Sequence, residues 1–204
     1  MNKLFPVFLK LENLHTLIVG GGYVGLEKIT AVLENSPEAK LTLIAPEIRQ
    51  EIQDFAKEHT HIELIFRKFE ANDLNEKDLV LVATNDKQEN ASIKSLAAQR
   101  HLLCNVADTP HLCDFYLSSV VRKGELKFAI STNGKSPTIA KRIKQVLDEN
   151  FPIEINESLE NLTKIRETLR GDFSEKVQKL NQITQTLVEA PKPPPGPPKE
   201  GSLA

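Results

Sequence analysis

Along the first half of the chain, short continuous apolar runs alternate with stretches of helical period. Residues 16–19, 41–45, 62–66, 79–83 and 102–106 are apolar enough throughout to predict strands buried on both faces. Residues 24–34, 48–57 and 90–100 carry the helical pattern between them. Such alternation predicts an α/β fold with a doubly wound parallel sheet. After Val106 the rhythm changes. Residues 115–121 and 126–131 read as strands joined by the turn Arg122-Lys123-Gly124-Glu125, a β-hairpin. A lone hairpin is marginal in water, so this one is expected to extend another sheet or to pair with a second subunit. Ser136-Pro137 then opens a helix with Ile139, Ile143, Val146 and Leu147 on one side, and Pro152 ends it. Two further amphipathic stripes follow, Leu159, Leu162, Ile165, Leu169 and then Phe173, Val177, Leu180, Ile183, Leu187, split near Gly171. They predict a small helical domain.

The first strand runs into Gly20-Gly21-Gly22-Tyr23-Val24-Gly25, a G-x-G-x-x-G spacing with a strand before it and a helix after it. This is the context in which the glycines bind a dinucleotide pyrophosphate, so the sheet is expected to be of Rossmann type. Gly20 allows the tight turn, Gly22 lets phosphates approach the backbone, and Gly25 brings helix and strand together. With Tyr23 and Val24 at the helix N-terminus, these are the candidate cofactor-binding residues. Ligands of an open α/β sheet sit outside the carboxyl ends of its strands. That rule adds Pro46 and Glu47 after the second strand, Thr84 and Asn85 after the fourth, and Asp108 after the fifth. Glu47 favours the ribose hydroxyls of NAD, whereas Arg49 favours a 2′-phosphate. NAD is the expected cofactor. Thr84 and Asn85 suit the nicotinamide half, with helix capping by Asn85 or Asp86 as the structural alternative. Asp108 is the candidate catalytic base, although Asp before Thr109-Pro110 is also a good turn former. A second anion-receptive loop contains Asn133, Gly134, Lys135 and Ser136, the candidate substrate-binding residues.

Composition narrows the class. A formal net charge of −2 over 204 residues gives no basic footprint for nucleic acid. No apolar run reaches the roughly 20 residues that span a bilayer, and no basic-then-apolar leader opens the chain. A cytoplasmic protein with no membrane partner is expected. Cys104 and Cys113 form no C-x-x-C pair, and His111 with Cys113 lacks the further ligands of a closed metal site, so no metal is expected. Six of the 12 prolines fall between Pro191 and Pro198, where an extended tail without a core is expected.

Five blocks together resemble a known family: Phe5-Pro6-Val7-Phe8-Leu9, the glycine turn through Lys28, Ala83-Thr84-Asn85-Asp86, Cys104-Asn105-Val106-Ala107-Asp108-Thr109-Pro110 with Leu112-Cys113-Asp114-Phe115, and Ile130-Ser131-Thr132-Asn133-Gly134-Lys135-Ser136-Pro137. The chain is similar, over about its first 150 residues, to the precorrin-2 dehydrogenase module of siroheme biosynthesis, which occurs alone or as the N-terminal part of siroheme synthase. The resemblance implies NAD-dependent oxidation of precorrin-2, a tetrapyrrole rich in carboxylates, to sirohydrochlorin. It implies a catalytic role for Asp108 and a homodimer. Some members also act as ferrochelatases, with ferrous iron as a further substrate, while others only dehydrogenate. Implied domains are a Rossmann domain over 1–113, a β-hairpin and helix for dimerisation and substrate over 114–151, a helical domain over 152–190 and a disordered tail over 191–204. The chain departs from the family at Gly25-Leu26-Glu27-Lys28, where many members place an alanine and an arginine before the lysine, and at Asn133-Gly134, where paired glycines are usual. The alternative reading is a regulatory module that senses NAD without catalysis, which leaves Asp108 and Lys135 unexplained.

Overall fold

A computed structural model of the chain describes residues 2–170 and 172–185; the expected tail over 191–204 and Leu187 of the last stripe lie outside the described residues. Five strands, β1 (His15–Val19), β2 (Lys40–Ile44), β3 (Ile62–Ile65), β4 (Leu79–Val82) and β5 (Leu103–Val106), form one parallel sheet in the order β3-β2-β1-β4-β5. Helices α1 (Tyr23–Asn35) and α2 (Gln50–Glu58) cover one face, where Ile29, Val32, Leu33 and Ile52 pack on Ile18, Leu41, Leu43 and Leu81. Helix α3 (Lys87–Gln99) covers the other, setting Ile93 and Ala97 on Leu17, Val80, Val82 and Cys104. Burial on both faces is why the inner strands read as nearly continuous apolar runs, complete in β4, rather than as alternating ones. The expected doubly wound sheet is present.

Two element boundaries differ from the sequence pattern, each for a visible reason. Helix α3 starts at Lys87 rather than at residue 90, because Asp86 accepts the amides of Gln88 and Glu89 at 2.8 and 3.1 Å and so nucleates an earlier turn. The sixth strand, β6 (Ser119–Lys123), starts four residues later than residue 115. Residues 113–115 are engaged along the free edge of β5 instead. The Asp114 amide donates to the Cys104 carbonyl at 2.8 Å, while its carboxylate accepts from the Cys104 amide at 2.9 Å and from Lys94. Asn105 Nδ2 donates to the Phe115 carbonyl at 2.8 Å, and the Val106 amide donates to Cys113 Sγ at 3.3 Å. A carboxylate and a thiol thus take the place of strand carbonyls.

The chain divides into two compact units, one running to Val121 and including Phe128–Val146, the other comprising Arg122–Lys127 and the residues from Leu147 onward. The hairpin of β6 and β7 (Leu126–Ile130) turns at Gly124, whose φ of +60° suits glycine. Helix α4 (Pro137–Asn150) begins as expected, with Ser136 Oγ accepting the Ile139 amide at 3.1 Å. In the second unit, Asn156 Oδ1 accepts the Glu125 amide at 2.9 Å and Lys123 pairs with Asp148 at 3.0 Å. Helices α5 (Ile155–Thr168) and α6 (Phe173–Thr184) complete it, and they correspond to the two amphipathic stripes. Among the described residues no helix is long and apolar enough to cross a membrane.

At the amino ends of the strands, His15 sits in a polar chain. Thr42 Oγ1 donates to Glu63 at 3.2 Å, so His15 Nε2, 2.8 Å from that oxygen, is the donor to it. The ring is therefore neutral with its proton on Nε2, and Nδ1 accepts from Lys77 at 3.4 Å. Burial, and then the charge of Lys77, hold the His15 pKa below its ordinary value. The unfolded chain binds a proton at this histidine that the folded chain resists. Stability conferred here is complete above the unfolded value near 6.5 and declines as pH falls through the interval beneath it. Melting temperatures measured between pH 7.5 and 5.5 should fall with acidification, and His15→Gln should flatten that slope; an identical slope in the variant would contradict the assignment.

Candidate functional site

The carboxyl ends of the strands open into a cleft of about 600 Å³. Its floor is the turn from β1 to α1. Gly20 leaves β1 with φ of +119°, and its amide donates to the Ile44 carbonyl at 2.9 Å. A Cβ at Gly20 would strike the Ala83 carbonyl, and one at Gly25 would strike the carbonyl of Gly20 itself. These two glycines let backbones touch. Gly22 differs, since a Cβ there would meet no protein atom within 4 Å and its φ is an ordinary −83°. Its missing side chain leaves space in the cleft rather than relieving a protein contact. Gly22 is also the N-cap of α1, with no side chain bonded to the first-turn amides, whereas α3 and α4 are capped by Asp86 and Ser136. Open amides beside an empty volume fit the diphosphate of a dinucleotide.

Of the residues singled out in the sequence, Gly20, Gly22, Tyr23, Val24, Pro46, Glu47, Thr84 and Asn85 line this cleft. Gly25 lies beneath it. Arg49 is diverted: its guanidinium stands 3.7 Å from the centroid of the Tyr23 ring and its Nη2 pairs with Glu51 at 2.5 Å, a bond that holds the guanidinium charged and the Glu51 carboxyl below its usual range. Thr84 Oγ1 bonds Asn90 Oδ1 at 2.6 Å, and Asn90 Nδ2 returns a bond to the Thr84 carbonyl at 3.1 Å. Capping falls to Asp86, which leaves the Asn85 side chain exposed at the rim.

Asp108 is not part of the cleft lining. It follows β5 in a left-handed turn at φ +54°, exposed, on the same carboxyl edge. The register Val82↔Val106 and the bond from the Ala107 amide to the Val82 carbonyl at 2.9 Å keep the chain beside the end of β4 up to the residue before it. Cys113 fastens this turn from both sides. Its thiol accepts from the Val106 amide and lies 3.2 Å from the Val106 carbonyl and 3.4 Å from that of Thr109, to either of which it can donate. That thiol is committed to the backbone. Burial pushes the Cys104 thiol up to about 12, which keeps it protonated and inert. Among the described residues, no group of three or more histidine, cysteine, aspartate or glutamate side chains is arranged to hold a metal ion.

The loop before α4 lies outside the lining of the cleft. Asn133 and Gly134 both adopt positive φ, 55° and 72°. Asparagine is the non-glycine residue most at ease there, so its presence in place of a glycine costs little. Thr132 Oγ1 ties the loop ends by accepting the Ser136 amide at 3.2 Å, and Lys135 is exposed.

Sequence reading missed four residues. Gly21 packs where a Cβ would strike the Glu47 carbonyl, and its own carbonyl accepts the Arg49 amide at 3.0 Å. Lys68, Phe69 and Glu89 line the cleft. Lys68 and Phe69 reach it from the segment after β3, where no local motif marks them.

The glycines give opposite expectations. Gly22→Ala should fold with an unchanged melting temperature and lose at least tenfold in dinucleotide affinity by calorimetry. Gly20→Ala should lose stability, with about 1–3 kcal/mol from its backbone conformation alone. Equal effects of the two on melting temperature would contradict this division of roles.

Comparison with known proteins agrees with this geometry. The profile described as putative NAD(P)-binding matches residues 7–119, and that of the sirohaem biosynthesis protein central region matches 123–150. Siroheme synthase of Psychrobacter cryohalolentis is 35% identical over 176 residues, and that of Pseudoalteromonas atlantica 33% identical over 170. The matches cover 86% and 83% of this chain but 32% and 36% of those proteins, so the chain spans about a third of the length of the curated relatives it matches. A solved structure, SirC, precorrin-2 dehydrogenase, superposes with a TM-score of 0.69 at 27% identity, covering 88% of this chain and 89% of that one. Glycine cradle, open cleft and the longer profile lead to one conclusion: the chain belongs to the putative NAD(P)-binding family, and it carries a sirohaem biosynthesis protein central region after that domain.

Proposed function

We propose that this protein oxidises precorrin-2 to sirohydrochlorin, with NAD as hydride acceptor. The observation that carries the reading is the likeness, over nearly the whole of both chains, to a solved precorrin-2 dehydrogenase in a chain whose Gly22 leaves room for a diphosphate. NAD, when bound, takes the hydride. Oxidation removes two hydrogens from the substrate, so one leaves as hydride and the other as a proton that needs an acceptor. Asp108 serves as that acceptor: it is an exposed carboxylate on the carboxyl edge, one strand from the cleft, in a turn fixed by Cys113. Gly20, Gly22, Tyr23, Val24, Gly25, Pro46, Glu47, Thr84 and Asn85 hold the cofactor. Asn133, Gly134, Lys135 and Ser136 receive carboxylates of the tetrapyrrole, with Lys135 supplying charge.

The same proposal places the protein in the cytoplasm as a homodimer, with domains over 1–113, 114–151, 152–190 and 191–204. Exposed apolar side chains support pairing. Phe5 and Phe8, in the extended segment before β1, are 86% and 70% exposed, and Ile139 on α4 is 55% exposed. Ferrous iron insertion into sirohydrochlorin is a separate arm of the same test.

Incubation of the purified protein with precorrin-2 and NAD should yield NADH and the sirohydrochlorin spectrum in equal amounts; absence of both would overturn the reading. Asp108→Asn should lower kcat by about 10²–10⁴-fold while NAD still binds. Supplying ferrous iron and sirohydrochlorin without NAD tests chelation alone. Light scattering should return twice the mass of one chain.

A further inference from the structure

The charged side chains lining the cleft are unequal in number: Glu47, Asp86 and Glu89 carry carboxylates, and Lys68 is the one cation among the described residues of the lining. They are also sorted in space. Strand order puts Glu47, after β2, and Lys68, after β3, on one side of the glycine turn, and puts Asp86 and Glu89, after β4, on the other. In a doubly wound fold the end of β2 marks the adenosine half of the cofactor, where an acid meets the ribose 2′-hydroxyl or a nearby base meets a 2′-phosphate. The cation of this cleft therefore stands at the adenosine end.

Other cations of this region are already engaged. Arg49 is held by Tyr23 and Glu51, outside the lining. Arg67 forms a two-pronged pair with Asp73, at 2.6 and 2.8 Å. Among the described residues Lys68 has neither ion pair nor side-chain hydrogen bond, and Glu47 has no ion pair either. The backbone beneath Lys68 is nevertheless fixed. Arg67 Nη1 donates to the Lys68 carbonyl at 2.9 Å, and Asp73, which anchors Arg67, also accepts the Glu70 amide at 2.7 Å. Phe69 is half-buried, packing on the core while facing the cleft, and offers an apolar wall for a base. A flexible lysine on a clamped backbone, beside an apolar wall, is equipped to meet a phosphate as a point charge.

We propose that Lys68 contacts the 2′-phosphate of NADP, so that the cleft accepts NADP as well as NAD, with Glu47 opposing the phosphorylated form by like charge. This rests on the dinucleotide reading of the cleft. Calorimetry with NAD, NADP, 5′-AMP and adenosine 2′,5′-bisphosphate separates the two ideas. In the unaltered protein NADP should bind within about tenfold of NAD, and its binding should weaken more steeply with added salt. Lys68→Gln should move the NADP-to-NAD affinity ratio at least tenfold against NADP, with the same shift for the bisphosphate against 5′-AMP. Glu47→Gln should move both ratios the other way. A Lys68→Gln ratio equal to that of the unaltered protein, with all four nucleotides binding, overturns the role of Lys68 and leaves the dinucleotide site standing. Failure of all four to bind the folded, unaltered protein overturns both.

Discussion

Contact between backbones, with no side chain between them, is the constraint on which the rest of this structure depends. Gly20 meets the Ala83 carbonyl, Gly21 meets that of Glu47, and Gly25 meets that of Gly20. The β1–α1 turn is thereby drawn down between the ends of β2 and β4. Only then do the α1 amides face the same volume as Glu47 and Thr84. A methyl group at any of these points would push the turn out of the crevice, and close packing leaves it nowhere to go.

The second half of the site is organised by different forces. Beyond β5 there is no glycine cradle among the described residues, and the turn carrying Asp108 is held by the bonds of the Cys113 thiol together with those of Thr109 to Val106 and Ala107. Sulfur is a weak hydrogen-bonding atom, but several contacts to backbone groups on either side of one carboxylate confine that carboxylate well. Cys113 thus acts as a small polar brace. Asp114 and Lys94 extend the brace to α3.

Much of this was legible in the chain, and the boundary of legibility has a physical cause. The parallel sheet could be read because burial on both faces forces unbroken apolar runs such as Leu79–Val82. The glycine turn could be read because its partners are local in sequence or are ends of strands. Lys68 and Phe69 were hidden because strand order, which apolar patterning does not encode, sets the end of β3 beside that of β2. The late start of β6 was hidden for a related reason: Phe115 looks like the start of a strand, but it and Asp114 bond β5 through a mixture of backbone and side-chain groups rather than as a ladder. Arg49 shows the reverse case, a residue whose type suits phosphate but which Tyr23 and Glu51 occupy.

The borrowed partners along β5 also bear on how molecules of this protein can associate. Open sheets invite strand-by-strand addition from neighbouring chains, and sustained growth of that kind needs a free border on both sides. Here one border is already occupied by the protein's own Cys113, Asp114 and Phe115. Addition to the five-stranded sheet is thereby left to its other border, at β3.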